Sequence, residues 1–155
     1  KTRNYKMTNI VTKEMNIKNK KKICIVRSVY NDEITQKTLD ITKDWLKKFG
    51  FKNISLFDVP GAFEIPVAIS RLINRYDAFI AIGCIIKGET NNFDLISSSI
   101  TNAIMELSII HKKPIGNALI TAYTKSQAEK RTKKGSEAAF AVGSILIGVN
   151  VSKRK

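Results

Sequence analysis

The stretch from Gly83 to Asp94 has residue types suited to binding an anion. It reads Gly-Cys-Ile-Ile-Lys-Gly-Glu-Thr-Asn-Asn-Phe-Asp. An apolar run precedes it, and apolar residues recur at helical spacing after it for about five turns. Gly88 permits a tight turn, and one of the polar residues at positions 90–92 can cap the helix. Backbone amides at such a turn suit a phosphate, although an ordinary capped helix after a strand would show the same pattern.

Three other polar segments follow predicted strands: Tyr30-Asn31, Gly61–Glu64 and Thr121–Thr124. The strands are predicted at 22–28, 53–58, 76–82 and 115–123, with helices between them. This alternation predicts an α/β fold, a three-layer doubly wound (flavodoxin-like) sandwich with a four-stranded parallel sheet. Ligands of such folds bind at the carboxyl ends of the strands, so we expect the four polar segments to meet there.

Five helices are predicted, at 34–49, 63–75, 93–110, 124–131 and 136–149. The first has Ile34, Ile41, Trp45 and Phe49 on one face, which we expect to lie in the core. Gly50 is its natural end.

The net charge of +14 is concentrated at the two ends of the 155-residue chain. Residues 1–22 hold eight basic side chains and one acidic one, and Lys153–Lys155 add three basic ones. We expect a basic flexible leader at 1–21, one α/β domain at 22–152 and a basic tail at 153–155. Such ends bind nucleic acid only non-specifically, and none of the nucleic-acid-binding motifs stands out.

The two cysteines, Cys24 and Cys84, lie in apolar strand-like runs. That setting favours reduced core residues over a disulfide or a metal site. No apolar run is expected to reach membrane-spanning length, and the first residues lack the apolar segment of a secretory signal. The sequence therefore predicts a cytoplasmic protein that does not associate with a membrane.

Two longer motifs lie at predicted strand ends: Val59–Pro66, which reads Val-Pro-Gly-Ala-Phe-Glu-Ile-Pro, and Gly83–Thr90. Four further segments follow in order: Pro114–Asn117, Gln127-Ala128, Arg131 and Lys134–Ala139. Together these motifs closely resemble the lumazine synthase family of riboflavin biosynthesis. The resemblance covers roughly residues 22–150.

The resemblance implies condensation of 5-amino-6-ribitylamino-uracil with 3,4-dihydroxy-2-butanone 4-phosphate. The product is 6,7-dimethyl-8-ribityllumazine, with loss of phosphate and two waters, and the family uses no metal or redox cofactor. Such a site mainly holds two substrates together and manages protons.

The resemblance also implies which residues contact the pyrimidine substrate. Tyr30 would stack on the ring with Asn31 beside it. Ala62, Phe63 and Glu64 would hold the ribityl hydroxyls. Two alternatives stay open: Tyr30 as an ordinary aromatic at a strand end, and Glu64 as a partner of the following helix dipole.

Further roles fall on the Gly83–Asp94 stretch and on the last helices. Backbone groups of Cys84, Ile85 and Ile86 would bind the pyrimidine, and Cys84 is expected to be a packed side chain rather than a nucleophile. The implied phosphate-binding residues are Gly88, Glu89, Thr90 and Arg131. The implied catalytic residues are Asn92, Arg131, Lys134 and Glu137. The alternative for Arg131 is a solvated charge among neighbouring lysines.

Asn92 departs from the family pattern, because most relatives have a histidine there that is thought to move protons. An amide does not titrate near neutrality. Asn92 could still orient a substrate, with Glu137 accepting a hydrogen bond from its amide. The only histidine, His111, lies at the far end of the long helix. We therefore expect an impaired synthase, or one whose proton shuttle is Glu137, Lys134 or water.

Two further departures concern assembly. Asn117 stands where many relatives place an aromatic that closes the substrate pocket from a neighbouring subunit. Only Thr132 and Lys133 separate Arg131 from Lys134, fewer than in relatives. The resemblance implies a homopentamer with sites between subunits, and it leaves a larger shell open.

Two other functions remain as alternatives. One is a non-catalytic lumazine- or flavin-binding oligomer on the same scaffold. The other is a polyanion-binding assembly that acts through its basic ends.

Overall fold

The computed structural model of the chain describes residues 18 and 20–148. The strands are β1 (Lys22–Ser28), β2 (Asn53–Val59), β3 (Ala78–Ile86) and β4 (Ile115–Ala122). The helices are α1 (Asp32–Lys48), α2 (Ile65–Leu72), α3 (Phe93–His111), α4 (Lys125–Glu129) and α5 (Lys134–Ile147). Single 3₁₀ turns, Ala62–Glu64 and Lys87–Glu89, follow β2 and β3. The predicted tail and nearly all of the predicted leader lie outside the described residues.

The four strands form one parallel sheet in the order β2-β1-β3-β4. The chain adds β2 on one side of β1, then returns to add β3 and β4 on the other side. The order therefore reverses between β1 and β3, which is where ligands of doubly wound folds bind. This topology confirms the predicted α/β fold with a four-stranded parallel sheet.

Helices cover both faces of the sheet. On one face, α2 and α3 pack around Ile69, Ile100 and Leu119. On the other face, α1 and α5 pack around Leu39, Ile80 and Ala139. Strand β3 is buried over its whole length. Its unbroken apolar run is typical of a central parallel strand with helices on both sides.

The buried face of α1 differs from the prediction. Of the four residues expected in the core, only Ile34 is buried, and Trp45 is 39% exposed. The buried face consists instead of Ile34, Thr35, Thr38, Leu39, Thr42 and Leu46. The helix therefore packs on the sheet through a different face from the one that holds Ile41, Trp45 and Phe49.

Threonines can occupy that face because the helix itself satisfies their hydroxyls. Thr38 Oγ1 donates to Ile34 O at 2.8 Å, and Thr42 Oγ1 donates to Thr38 O at 2.7 Å. The small side chains also let α5 approach closely. A Cβ on Gly135 would lie 2.7 Å from Thr38 O, closer than any real contact of that kind.

One helix among the described residues, α3, is long and apolar enough to span a membrane by length and composition. It contains no continuous apolar run of that length, because serines, Thr101, Asn102 and two acidic residues interrupt it. The helix packs on the sheet through Ile100 and Ile104. An outward stripe holds Leu95, Met105 and Ile109, which are 59–67% exposed. Since α3 is one layer of an α/β sandwich, this stripe is typical of a protein–protein contact.

Candidate active site at the carboxyl ends of the strands

Strands β1 and β3 separate at their carboxyl ends. Their pairing stops at Arg27 and Ile82, whereas pairing of β3 with β4 continues to Ile86 and Ala122. The last four residues of β3 therefore have one backbone edge that β1 does not cover. A Cβ on Gly83 would lie 3.2 Å from the Cβ of Ala62, so the turn after β2 approaches this edge closely.

The segment after β1 brings Tyr30 and Asn31 to this opening. Tyr30 is 56% exposed, and its amide donates to Pro60 O at 3.1 Å. Asn31 has a φ of 60°, a left-handed conformation that asparagine tolerates. Its Nδ2 and the Oγ of Ser28 are buried and have no hydrogen-bond partner among the described residues. Since buried polar atoms rarely lack partners, both are candidates for bonds to a ligand.

The 3₁₀ turn after β2 holds Ala62, Phe63 and Glu64 beside the same opening. Phe63 is 68% exposed. The Glu64 carboxylate accepts a hydrogen bond from the Gly61 amide at 3.2 Å through Oε2. It makes no side-chain cap of α2. The carboxylate is therefore held within the turn, with its second oxygen directed to no partner in the described part of the chain.

At the end of β3, Cys84, Ile85 and Ile86 are buried, with 3–4% of each residue exposed. Their side chains pack in the core, and their backbone lies along the edge of β3 that β1 does not cover. Burial raises the pKa of the Cys84 thiol to about 11, and the charge of Glu89 adds to the increase. The thiol is therefore protonated near neutrality, which supports a packing role rather than a nucleophilic one.

The loop from Lys87 to Asn92 leads into α3. Asn92 occupies the helix N-cap position with a φ of 58°, is exposed, and makes no side-chain cap. The first amides of α3 have no partner within the helix, so they are open to an anion. The turn expected at Gly88 is present, as the 3₁₀ turn Lys87–Glu89, but its conformation does not require glycine. Gly88 has no positive φ, and a Cβ there would lie 3.8 Å from Tyr123 O, an ordinary contact.

Two basic side chains point back to the end of β4. Arg131 donates through Nη1 to Thr121 O. Lys134 donates through Nζ to Leu119 O at 2.7 Å. Burial lowers the pKa of Lys134 and the Arg131 charge adds to this, while Glu137 opposes it. The structure thus brings Arg131 to the end of β4 next to the Lys87–Asn92 loop, and Lys134 to a carbonyl three residues before that end.

Two predicted site residues do not join this group. Asn117 lies within β4 opposite Ala81, about 16 Å before the strand end at 3.3 Å per residue. It is exposed, and its Oδ1 accepts from Leu119 N at 3.0 Å. Glu137 is exposed on α5 and forms no hydrogen bond with Asn92 within the described residues. The sequence allowed a hydrogen bond from Asn92 to Glu137. The two residues do not make this bond, because α3 and α5 cover opposite faces of the sheet.

Comparison with known proteins decides the family. The model of the 6,7-dimethyl-8-ribityllumazine synthase family matches residues 20–147. The chain belongs to the 6,7-dimethyl-8-ribityllumazine synthase family. It is 38% identical to a 6,7-dimethyl-8-ribityllumazine synthase of Buchnera aphidicola over 152 residues, which cover 92% of this chain and 96% of the relative.

Two other relatives carry the same name. A 6,7-dimethyl-8-ribityllumazine synthase of Campylobacter jejuni is 33% identical over 94% of this chain and 98% of its own length. One of Pyrococcus furiosus is 34% identical over 77% of this chain and 76% of its own. Membership in the 6,7-dimethyl-8-ribityllumazine synthase family confirms the resemblance. The chain is an enzyme of riboflavin biosynthesis, and the alternative of a non-catalytic binder is not favoured.

Sequence reasoning gave no role to three residues that the structure places at or near this opening. Ser28 carries the unpaired hydroxyl described above. Tyr123 lies beside the Lys87–Asn92 loop, with Lys87 Nζ 5.1 Å and the Phe93 ring 6.3 Å from its ring centroid. Arg27 is a buried charge at the end of β1. An aromatic after β4 was a usable signal for Tyr123, whereas Ser28 and Arg27 need the sheet register.

Proposed function

We propose that the chain condenses 5-amino-6-ribitylamino-uracil with 3,4-dihydroxy-2-butanone 4-phosphate at the opening between β1 and β3. The products are 6,7-dimethyl-8-ribityllumazine, phosphate and water. The observation that carries the proposal is the meeting of two kinds of group at one sheet edge. Uncovered backbone and an exposed aromatic suit the pyrimidine, and open amides with two cations suit the phosphate.

The pyrimidine half of the site uses the segments after β1, β2 and β3. Tyr30 offers an exposed flat ring for stacking. The free backbone edge at residues 83–86 offers amides and carbonyls to the heterocycle. The second carboxylate oxygen of Glu64, together with the Asn31 amide, suits the hydroxyls of the ribityl chain.

The phosphate half of the site uses the loop before α3 and the end of β4. The turn Gly88–Thr90 and the first amides of α3 suit phosphate oxygens. Arg131 is anchored by Thr121 O through one nitrogen, which leaves its other N–H groups for a bidentate phosphate contact. Its charge would stabilise the leaving phosphate during elimination.

Proton transfer in this site has no histidine to carry it. The only histidine, His111, is at the far end of α3 from the site. Lys134 has a lowered pKa and lies beside the strand end, so it is the protein group best suited to exchange a proton with substrate. Asn92 orients a substrate through its amide without titrating.

A second copy of the chain completes the site. The exposed apolar stripe of α3 lies towards the β4 side of the sheet, whereas exposed Phe57, Phe63 and Val67 lie on the β2–α2 side. Two different surfaces of this kind favour a head-to-tail contact, which closes into a ring. In a homopentameric ring, the β4 edge that carries Asn117 would close the opening of the next copy. The enzyme works in the cytoplasm without a cofactor.

Product fluorescence with both substrates present tests this function. We expect wild-type turnover, and Arg131→Met should raise the KM of the phosphorylated ketone by about 10- to 100-fold, because a charge-assisted contact is lost. Lys130→Met is the matched control, since Lys130 is an equally exposed neighbour outside the site. Absence of wild-type product, or equal effects of the two variants, would contradict the assignment.

A further inference from the structure

Arg27 is a buried cation that touches no part of the opening between β1 and β3. The residue is 6% exposed. Its side chain extends from the end of β1 on the face covered by α1, where it contacts Asp32 and Gln36. The mechanism proposed above uses no group of this residue. Burying a charge costs desolvation free energy, so a buried arginine needs compensating hydrogen bonds and ion pairs.

The guanidinium bonds to both neighbouring elements at once. Nε and Nη2 donate to the two oxygens of Asp58, each at 3.0 Å. Nη1 donates to Asp32 Oδ1 and to Gln36 Oε1, each at 2.9 Å. The contact with Asp58 is a bidentate fork, the geometry that fixes both distance and orientation.

The two carboxylates belong to the chain segments that carry the pyrimidine half of the site. Asp32 directly follows Tyr30-Asn31, and Asp58 precedes the turn that holds Ala62–Glu64. Two backbone bonds join the same segments: Val29 N to Val59 O at 2.9 Å, and Tyr30 N to Pro60 O at 3.1 Å. Arg27 therefore lies beneath the junction of the two segments and ties their ends together.

We propose that Arg27 is a positioning residue that sets the spacing between the Tyr30-Asn31 segment and the Ala62–Glu64 turn, and thereby the fit of the ribityl pyrimidine. The inference rests on the proposed assignment of these segments to that substrate. Without the guanidinium, two carboxylates with side chains 66% and 43% exposed would face each other. Water can hydrate them, so the fold survives while repulsion moves the segments apart.

The phosphate half of the site is independent of this tether. The Gly88–Thr90 turn follows β3, and Arg131 bonds to Thr121 at the end of β4. None of the Arg27 contacts reaches either element. Loss of the tether should therefore affect one substrate and not the other, which a general loss of stability would not do.

Steady-state kinetics of Arg27→Lys and Arg27→Met tests the proposal. Arg27→Lys keeps the charge but loses the fork, and Arg27→Met removes both. We expect the KM of the ribityl pyrimidine to rise by about 10-fold in the first and up to about 100-fold in the second, since small misplacements of bound groups have effects of this size. The KM of the phosphorylated ketone should stay within about twofold of wild type.

Val26→Ala is the control, because it weakens packing of the same strand in the core and leaves both segments tethered. It should lower the melting temperature without changing the ratio of the two KM values. Equal changes in both KM values for the Arg27 variants, or no change beyond twofold in Arg27→Lys, would overturn the proposal.

Amide hydrogen exchange gives a readout that does not depend on turnover. The amides of Val29 and Tyr30 should exchange faster in both Arg27 variants, while the Thr90 amide keeps its wild-type rate. If the wild-type chain made no product, these exchange rates would still show whether Arg27 holds the two segments together. The proposed function and the proposed role of Arg27 are therefore tested independently. Unchanged rates at Val29 and Tyr30 in Arg27→Lys would contradict the tether.

Discussion

At the scale of single residues, Asn92 would limit proton transfer in the proposed site. It occupies the N-cap position of α3 with a φ of 58° and presents an amide where the family resemblance implies a titrating imidazole. Histidine, like asparagine, is enriched in this left-handed conformation, so the backbone accepts either residue. The position therefore allows the proton-carrying group to be changed with little effect on the fold.

We predict that Asn92→His raises kcat by about 10- to 100-fold, because it supplies a general acid–base group with a pKa near neutrality. Product dissociation constants should stay within about twofold of wild type. Stopped-flow fluorescence and equilibrium titration measure the two quantities. Asn92→Gly, which keeps the left-handed backbone without a side chain, is the control and should show no gain. An unchanged kcat in Asn92→His would refute this account of the impairment.

The thiols give a prediction about alkaline pH. Burial raises the pKa of Cys24 from 9.0 to about 12, and that of Cys84 from 9.0 to about 11. Both raised values belong to the folded state. Above pH 9 the unfolded chain loses thiol protons that the folded chain retains, so stability falls with pH across this window.

Urea unfolding at pH 7.5 and pH 10 measures this effect. The decrease in the free energy of unfolding between the two values should be smaller in Cys84→Ala than in wild type. The same variant should keep kcat within about threefold, since a protonated packed thiol does no chemistry. An identical pH dependence in both proteins, or loss of turnover in Cys84→Ala, would show that the thiol has another role.

At the scale of elements, two glycines have opposite roles. Gly135 is required by the contact of α5 with α1, where a Cβ would meet Thr38 O at 2.7 Å. Gly88 is not required by the fold, since a Cβ there makes an ordinary contact. In the proposed site, the absence of a side chain at Gly88 would let a phosphate approach the backbone, by the same principle as in glycine-rich phosphate loops.

We predict that Gly135→Ala lowers the free energy of unfolding by about 1–3 kcal/mol, because the helices must move apart. Gly88→Ala should change it by no more than about 0.5 kcal/mol. It should nevertheless raise the KM of the phosphorylated ketone. Urea titration and steady-state kinetics on the same two variants check both statements. A large loss of stability in Gly88→Ala would show that the loop needs glycine for its conformation.

The sequence predicted the elements well where apolar periodicity agreed with burial. Strands β1 to β4 and the five helices all exist, with shifted ends. The face of α1 was wrong because Thr38 and Thr42 are polar by type but satisfied within the helix, so they can be buried. The pattern of polar and apolar residues cannot show that these threonines are buried, because their hydroxyls bond to backbone carbonyls of the same helix.

The candidate site was predictable to the extent that it follows strand ends. Parallel strands bring their carboxyl ends to one edge whatever the loops contain, which placed Tyr30, Glu64 and Thr90 together. Arg27 was not predictable, because its tether depends on the register that sets it beside Asp58. Asn117 was predictable only through the family resemblance, since its proposed role depends on a contact with a second copy.

At the scale of the whole molecule, the proposed ring would bury the exposed stripe of α3. Ile109 on α3 is 67% exposed, and Phe140 on α5 is 47% exposed beside Phe49 at the end of α1, away from the β4 edge. We predict that Ile109→Lys dissociates the ring, since a charge would be buried in the contact, whereas Phe140→Lys leaves it intact. Light scattering after size exclusion should show a pentamer for the wild type and for Phe140→Lys. A monomeric wild type, or equal effects of both variants, would contradict this interface.

The central claim is that one copy supplies the strand-end segments and the next copy supplies the β4 edge. Mixing two inactive variants tests it directly: Glu64→Lys blocks the first surface, and Asn117→Lys blocks the second. Each alone should make almost no product. After joint unfolding and refolding in equal amounts, about one quarter of wild-type turnover should return, because one interface in four pairs two intact surfaces in a head-to-tail ring. Mixed rings that show no recovered turnover would place the whole site within a single chain and contradict the account.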